Sequence, residues 1–284
     1  MFWAVLPRFQ HPMIRVSFTP ALARGLLGSL ALAACSAAPA PGGALELVSH
    51  RAVYDLVLAT PAGAGGVYGV QGRLALEWLD VCDGWTVDQR FAVTYDYGDG
   101  EPSSMYEAFA SWESRDGLRF RFEDRYTYSD GSGEEISGTA TLEGPDGAGQ
   151  VKLTRPEAKT GTLPRGTLFP SAHTAFLIEA ARAGETYVVR PLYDGGEPEE
   201  ANEVGVAIGT PRKAPDRFAM PGDATAWPMH YAFFPSTEDE GEPDYEIRIL
   251  LQANGVAHDM LLDYGDYALK ATLRHFEALP APDC

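Results

Sequence analysis

The segment LRFRFEDRYTY (residues 118–128) alternates between apolar and charged side chains along its first half. A period of two places alternate side chains on opposite faces of a β-strand. The apolar set is Leu118, Phe120 and Phe122, and the charged set is Arg119, Arg121 and Glu123. A strand with one face in a core and the other in water has this pattern, so the segment predicts an antiparallel sheet with one solvated face.

The same pattern recurs along the chain, with turn dipeptides between the apolar runs. Asn254-Gly255 is the strongest hairpin signal, and Asp83-Gly84 predicts a turn because both residues tolerate a positive φ. We predict strands near 49–58, 67–80, 85–97, 104–114, 118–128, 134–143, 149–154, 185–193, 202–209, 227–234, 244–253, 256–263 and 266–276. Closely spaced strands favour a barrel or sandwich over βαβ units. We therefore expect a single all-β, mainly antiparallel, barrel-like domain over residues 47–284.

One segment, PSAHTAFLIEAARAG (170–184), has the pattern of a helix. Ser171 is the expected N-cap and Gly184 the expected C-terminal stop. Phe176, Leu177 and Ala180 would form its apolar stripe. A lone helix among strands is expected to plug a barrel end or to pack on an open sheet face.

The first 35 residues are typical of an export signal, with positive charge at Arg15 and Arg24 before a short apolar run. Two interpretations of its end remain. Cys35 follows Leu-Ala-Ala, as in a bacterial lipobox, and would be acylated; alternatively, cleavage occurs at an ordinary Ala-x-Ala-like site. Either Met1 or Met13 would be the start. Residues 36–46 are rich in small residues and predict a linker. The apolar run is too short to span a bilayer, which needs about 20 residues.

The cysteine count favours one disulfide. The chain has three cysteines, and Cys35 would be lipidated or removed with the signal. Cys82 and Cys284 then remain, and thiols in an exported protein meet an oxidising compartment. We expect them to be bonded. The alternative is a redox or metal-binding pair, but the sequence contains no Cys-x-x-Cys.

The charge of the chain excludes some partners. The formal net charge is −18, and none of the 40 acidic residues lies in positions 1–40. A surface this acidic repels phosphate backbones, so we expect no nucleic acid partner. It also argues against electrostatic docking to anionic membranes.

Candidate catalytic residues are sparse. His173 lies two positions after Ser171, in the loop that leads into the predicted helix, and this pair is the best candidate for a hydrolase site. There is no Gly-x-Ser-x-Gly motif, however, and His173 is also expected in a structural role. No histidines have metal-ligand spacing, and no phosphate-binding loop or dinucleotide fingerprint is present. We expect neither a metal nor a cofactor.

Three segments together resemble a known family. They are HRAVYDL (50–56), CDGW (82–85) and LPRGTLFPSAH (163–173). The residues that carry the likeness are His50, Arg51, Tyr54, Asp55, Asp83, Gly84, Trp85, Leu163, Pro164, Gly166, Thr167, Phe169, Pro170 and His173. With the terminal cysteine, this set resembles the EipB-type cell-envelope-integrity proteins of the alphaproteobacterial periplasm.

The resemblance implies a spiral-like, incompletely closed β-barrel, a disulfide matching Cys82–Cys284 and a role in the cell envelope. It brings no catalytic residues. We therefore expect a non-enzymatic periplasmic scaffold that binds a lipid, a glycan, a lipoprotein or a peptidoglycan-associated protein. A membrane tether is expected only if Cys35 is lipidated, in which case the outer membrane is favoured. The alternatives are a hydrolase with a site near His173 and an assembly partner without a small ligand.

Overall fold

A computed structural model describes residues 47–98, 100–196, 200–218, 220–234 and 241–284. The predicted signal peptide with Cys35 and the predicted linker at 36–46 lie outside these ranges. The described strands are β1 (His50–Leu58), β2 (Gly69–Asp80), β3 (Gly84–Asp96), β4 (Ser103–Ser114), β5 (Arg119–Tyr128), β6 (Gly133–Leu142), β7 (Gly149–Arg155), β8 (Lys159–Leu163), β9 (Tyr187–Leu192), β10 (Asn202–Ile208), β11 (Arg212–Lys213), β12 (Thr225–Phe234), β13 (Tyr245–Gln252), β14 (Ala257–Asp263) and β15 (Ala268–Ala278). The helices are α1 (Pro170–Ala183) and a short 3₁₀ turn (Ala64–Gly66).

These strands form one sheet, and its ladders are antiparallel. The order is β8-β7-β6-β5-β4-β3-β2-β1-β15-β14-β13-β12-β10-β9, with β11 added beside β12. The order begins at β8 and ends at β9, so the sheet is not closed. The first strand pairs with both the second and the last, which places the two ends of the domain side by side. The predicted all-β, incompletely closed barrel is confirmed.

The segment that predicted the fold behaves as expected. In β5, Phe120 and Phe122 are buried, whereas Arg119 and Arg121 are exposed. The two guanidinium groups lie over the ring of Trp112 on β4, at 5.6 and 4.6 Å from its centroid. The inner face of the sheet carries the core, and the outer face carries the charges.

Two strands were not predicted, and the reason is visible in their sequences. β8 reads KTGTL, and only its last residue is buried, so it has no apolar alternation. β11 has two residues, both exposed. Neither strand buries an apolar face, and each is held by backbone pairing with a neighbour.

Helix α1 packs on the inner side of the sheet. Leu177 and Ile178 are fully buried in the main hydrophobic cluster, together with Trp78 and Tyr231 from the strands. Phe176 is half-buried under the guanidinium of Arg190, 4.7 Å from the ring centroid. A second cluster gathers Phe109, Phe120, Phe122, Phe169 and Tyr193 beside the start of the helix.

The predicted helix cap was wrong at one end and right at the other. The N-cap is Phe169 in extended conformation, whose own side chain cannot cap the helix, and Pro170 occupies the first turn. Ser171 therefore lies inside the helix. Proline is favoured at the first helical position because its fixed φ suits a helix and it lacks the N–H that would be unpaired there. Gly184 ends the helix with φ 85°, as predicted.

The Asp83-Gly84 prediction was also wrong in detail. The positive φ in this turn belongs to Cys82, at 66°, whereas Gly84 is already the first residue of β3. Glycine is required there for space: a Cβ on Gly84 would lie 2.1 Å from the carbonyl oxygen of Glu113 on β4. The Asn254-Gly255 hairpin between β13 and β14 is confirmed, with φ 88° at Gly255.

Candidate functional site

The structure contains the disulfide that the cysteine count predicted. Cys82 and Cys284 are bonded, with Cα atoms 5.9 Å apart and a sequence separation of 202. Arg115 donates to the carbonyl oxygen of Cys82 at 3.3 Å and forms an ion pair with Asp80. The same guanidinium lies 4.1 Å above the ring of Trp85. The bond therefore fixes the C-terminal tail to an ordered corner at the β2–β3 turn.

The remaining residues of CDGW hold that corner together. The Asp83 carbonyl accepts from the Arg115 amide at 2.9 Å. Its carboxylate accepts from the Trp112 indole at 3.4 Å. Trp85 stacks on the fully buried Trp78 at 4.1 Å. These contacts give the motif a structural role.

The motif HRAVYDL forms most of β1, at the centre of the sheet, and its residues alternate between core and surface. His50 is buried, donates from Nδ1 to Val48 O at 2.8 Å and stacks on Phe276. Burial lowers its pKa to about 4, so it is neutral at neutral pH. Tyr54 donates to Ala257 O on β14 at 2.6 Å across the core.

The outward residues of the same motif pair with both neighbouring strands. Arg51 contacts Glu77 on β2 and Glu277 on β15. Asp55 accepts from Arg73 on β2 and Arg274 on β15, at 3.3 and 3.0 Å. Each side chain thus bridges the first, second and last strands, where the two ends of the domain meet.

The third motif forms the connection from β8 into helix α1. Gly166 has φ 77°, and Thr167 Oγ1 donates to the carbonyl oxygen of Pro164 at 2.7 Å, which closes a tight turn. Leu163 at the end of β8 and Phe169 at the helix N-cap are both buried. Phe169 stacks on Phe120 at 5.2 Å. The motif therefore anchors the entry of the helix into the core.

The two residues of the candidate hydrolase site lie within the core. His173 is fully buried, and its amide donates to the carbonyl oxygen of Phe169 at 2.8 Å. Burial, with a smaller effect from the positive Arg190, lowers the pKa of its ring to about 3. Ser171 is 2% exposed, and its hydroxyl accepts from the Trp78 indole at 3.4 Å. Neither group is open to a substrate from solvent.

Sequence reasoning missed the group that caps the helix. Glu113 on β4 is buried, and its two carboxylate oxygens accept from the amides of Ser171 and Ala172 at 2.6 and 2.8 Å. Burial raises its pKa to about 7, while these hydrogen bonds act in the opposite direction. Glu113 occupies the inward register of β4, as do Met105 and Phe109. The sequence signal that could have revealed this cap is a glutamate at an inward-facing position of a predicted strand.

A second inward carboxylate of β4 has acidic neighbours. Glu107 is fully buried, and burial raises its pKa well above the usual range, with further contributions from Asp124 and Asp194. Within the described ranges, no group of histidine, cysteine and carboxylate side chains is arranged to hold a metal ion.

A groove on the outer face of the sheet, lined by described residues, is our candidate for a binding site. Its volume is about 650 Å³. Apolar side chains form what we call the floor: Ala207, Pro228, Leu250 and Leu261, on β10, β12, β13 and β14. Basic side chains, the rim cations, surround it: Arg212, Arg217, Arg248 and Lys270. We call this feature the outer groove.

The segment between β10 and β12 forms one wall of the outer groove. β11 pairs with the start of β12, and the Ala214 amide donates to Ala224 O at 2.7 Å. Arg217 forms an ion pair with Asp259 on β14 at 2.9 Å, which ties the wall to the sheet. Ala214 also packs with Leu250 in a small cluster on this face. The wall is therefore held by contacts at both ends.

Two rim cations are available to a ligand. Arg212 and Lys270 are exposed and form no ion pair with any described residue. Arg248 lies near Glu246 and Asp263, at the longer distances of 3.6 and 3.9 Å. The sequence did not predict the outer groove, because its residues come from separate strands. The one local signal was the basic segment PRKAPDR (211–217) in a strongly acidic chain.

Comparisons with known proteins agree with the fold. A family model described as EipB-like matches residues 41–280. The chain is 32% identical over 242 residues to the "Cell envelope integrity protein EipB" of Brucella abortus (strain 2308), covering 81% of this chain and 84% of that protein. A crystal structure of a β-barrel-like protein of domain of unknown function DUF1849 from Brucella abortus superposes with a TM-score of 0.76. That match has 31% identity and covers 84% of this chain and all of the other.

The helices in the described ranges are too short or too polar to cross a membrane.

Proposed function

The chain belongs to the EipB-like family, and we propose that it supports the integrity of the cell envelope as a non-catalytic periplasmic binding protein. The observation that carries the envelope role is its relationship to the Brucella protein named for that role. A periplasmic location agrees with the Cys82–Cys284 bond, because disulfides persist in oxidising compartments.

Binding is favoured over catalysis by where the chemically active side chains lie. His173 and Ser171 are buried residues at the start of helix α1, and burial keeps the imidazole neutral. The residues of the three family motifs make core contacts, cross-strand ion pairs and turn contacts. The outer groove, in contrast, offers to solvent an apolar surface and two cations that form no ion pair with a described residue. The ligand classes are a lipid or glycan, a lipoprotein or a peptidoglycan-associated protein.

The proposal is tested by deleting the gene in its own host and measuring survival in a detergent such as deoxycholate. We expect survival to fall at least tenfold, and the wild-type gene to restore it. A His173→Gln variant present at normal levels should restore it equally, because the imidazole has no chemical role. Undiminished survival of the deletion strain would refute the envelope role. Failure of a folded His173→Gln variant would favour the hydrolase alternative.

A further inference from the structure

We propose that the outer groove binds one anionic lipid molecule, with an acyl chain along the floor and an acidic headgroup against the rim cations. This inference rests on the proposed binding function and adds the chemical class of the ligand. Three features of the outer groove support it: its basic side chains, its apolar floor, and the backbone groups of its strands, which are already hydrogen-bonded to neighbouring strands.

The charge of the outer groove is opposite to that of the chain. Four basic side chains line it, and the single lining carboxylate, that of Asp259, is paired with Arg217. The whole chain has a formal net charge of −18. Two of these cations have no acidic partner among the described residues. Because the rest of the molecule is acidic, the cations of the outer groove favour an anionic ligand and hold it against the repulsion of the remaining surface.

The floor selects an acyl chain over a peptide. The strands that form it, β10, β12, β13 and β14, each pair with a strand on both sides, so the ladders already occupy their backbone groups. An extended peptide laid on this face would find no backbone partners, and its own buried amides would remain unsatisfied. An acyl chain has no polar groups to satisfy and gains from covering apolar surface.

The size of the outer groove suits one such molecule. Its volume of about 650 Å³ lies within the range of roughly 300–1,000 Å³ for small-molecule sites. From Ala207 on β10 to Lys270 on β15 the groove crosses four inter-strand spacings, or about 19 Å. An acyl chain extended across the strands would therefore pass over the floor with cations beside it.

The test uses the mature protein and the fluorescent fatty acid cis-parinaric acid, with its methyl ester as the uncharged analogue. We expect the acid to bind at least tenfold more tightly than the ester. A double variant, Arg212→Glu with Lys270→Glu, should weaken binding of the acid at least tenfold while affinity for the ester changes little. The matched control is Arg125→Glu with Lys152→Glu, two exposed cations on β5 and β7, which should bind as wild type does.

A second variant tests the floor independently of charge. Ala207 is exposed, so Ala207→Trp should fold, and its indole should obstruct the outer groove and weaken binding of acid and ester alike. Unchanged melting temperatures establish that each variant is folded. Equal affinity of the acid for wild type and both groove variants, or no binding to wild type at micromolar concentrations, would overturn the inference.

The two proposals fail separately in these experiments. If wild-type protein binds no parinaric acid but its deletion makes cells sensitive to detergent, the lipid inference is wrong and the envelope role stands. If the deletion strain is as resistant as its parent, the envelope role is wrong whatever the binding result.

Discussion

At the scale of single residues, β4 is unusual because two of its buried, inward-facing side chains are the carboxyl groups of Glu107 and Glu113. Glu113 is buried, and two helix amides donate to its carboxylate. The helix N-terminus favours negative charge, and burial opposes it. The resulting pKa of about 7 shows that burial is the larger effect.

This balance predicts a pH dependence of stability. The folded-state pKa of Glu113 is raised from 4.5 to about 7, so the native state keeps the proton at pH values where the unfolded chain has lost it. Its contribution to stability is complete below pH 4.5 and is lost as the pH rises towards 7. Over that window the loss is about 3 kcal/mol.

Glu113→Gln should remove this contribution, so that between pH 4.5 and 7 its free energy of unfolding changes more favourably than that of wild type by about 3 kcal/mol, as measured by urea unfolding at a series of pH values from 4.5 to 8. Other buried groups contribute to the slope in both proteins: the raised pKa of Glu107 acts in the same direction as Glu113, and the lowered pKa values of His50 and His173 act in the opposite direction. Glu143→Gln, at an exposed turn, is the matched control and should keep the wild-type slope. Identical slopes for Glu113→Gln and wild type would show that Glu113 is not the titrating group.

At the scale of elements, local pattern was sufficient for those strands that bury an apolar face. The alternation in 118–128 predicted β5, and Gly184 correctly predicted the end of α1. The alternation of apolar and polar residues did not predict β8 and β11, which are held in the sheet by backbone pairing alone. These strands add backbone hydrogen bonds and bury little apolar surface, so apolar and polar residues do not alternate in their sequences.

The start of the helix shows a second kind of failure. Ser171 satisfied the local rule for an N-cap, but Pro170 took the first turn and the capping carboxylate came from Glu113, 58 residues away. The outer groove was missed for the same reason, since Arg212, Arg248 and Lys270 lie on three different strands. Contacts made by tertiary pairing leave no local signature in a single sequence.

At the scale of the whole molecule, two links hold the last part of the domain to its first strands. β1 pairs with β15, and the disulfide then bonds the last residue to the β2–β3 turn. The tail beyond β15 is therefore fixed at the same end of the strands as the start of β1. A bond that closes a loop of about 200 residues is expected to stabilise the fold by restricting the unfolded chain.

Cys82→Ser should lower the melting temperature by roughly 5 °C or more, because a loop of this length gives at most about 5 kcal/mol in the chain-entropy model. Cys284→Ser and the double variant should show the same loss, since each removes the same bond. The checks are calorimetry and limited proteolysis, with reduced wild-type protein as a further reference. A melting temperature equal to that of oxidised wild type would show that the bond does not contribute to stability.

Together, the two proposals make the outer groove the surface through which this protein would support the cell envelope. The most direct measurement is survival in deoxycholate of a deletion strain that carries either Arg212→Glu with Lys270→Glu or the matched pair Arg125→Glu with Lys152→Glu. With equal protein levels, we expect the groove variant to leave the cells at least tenfold more sensitive and the matched pair to restore resistance. Full restoration by the groove variant would show that the outer groove is not the surface that supports the envelope.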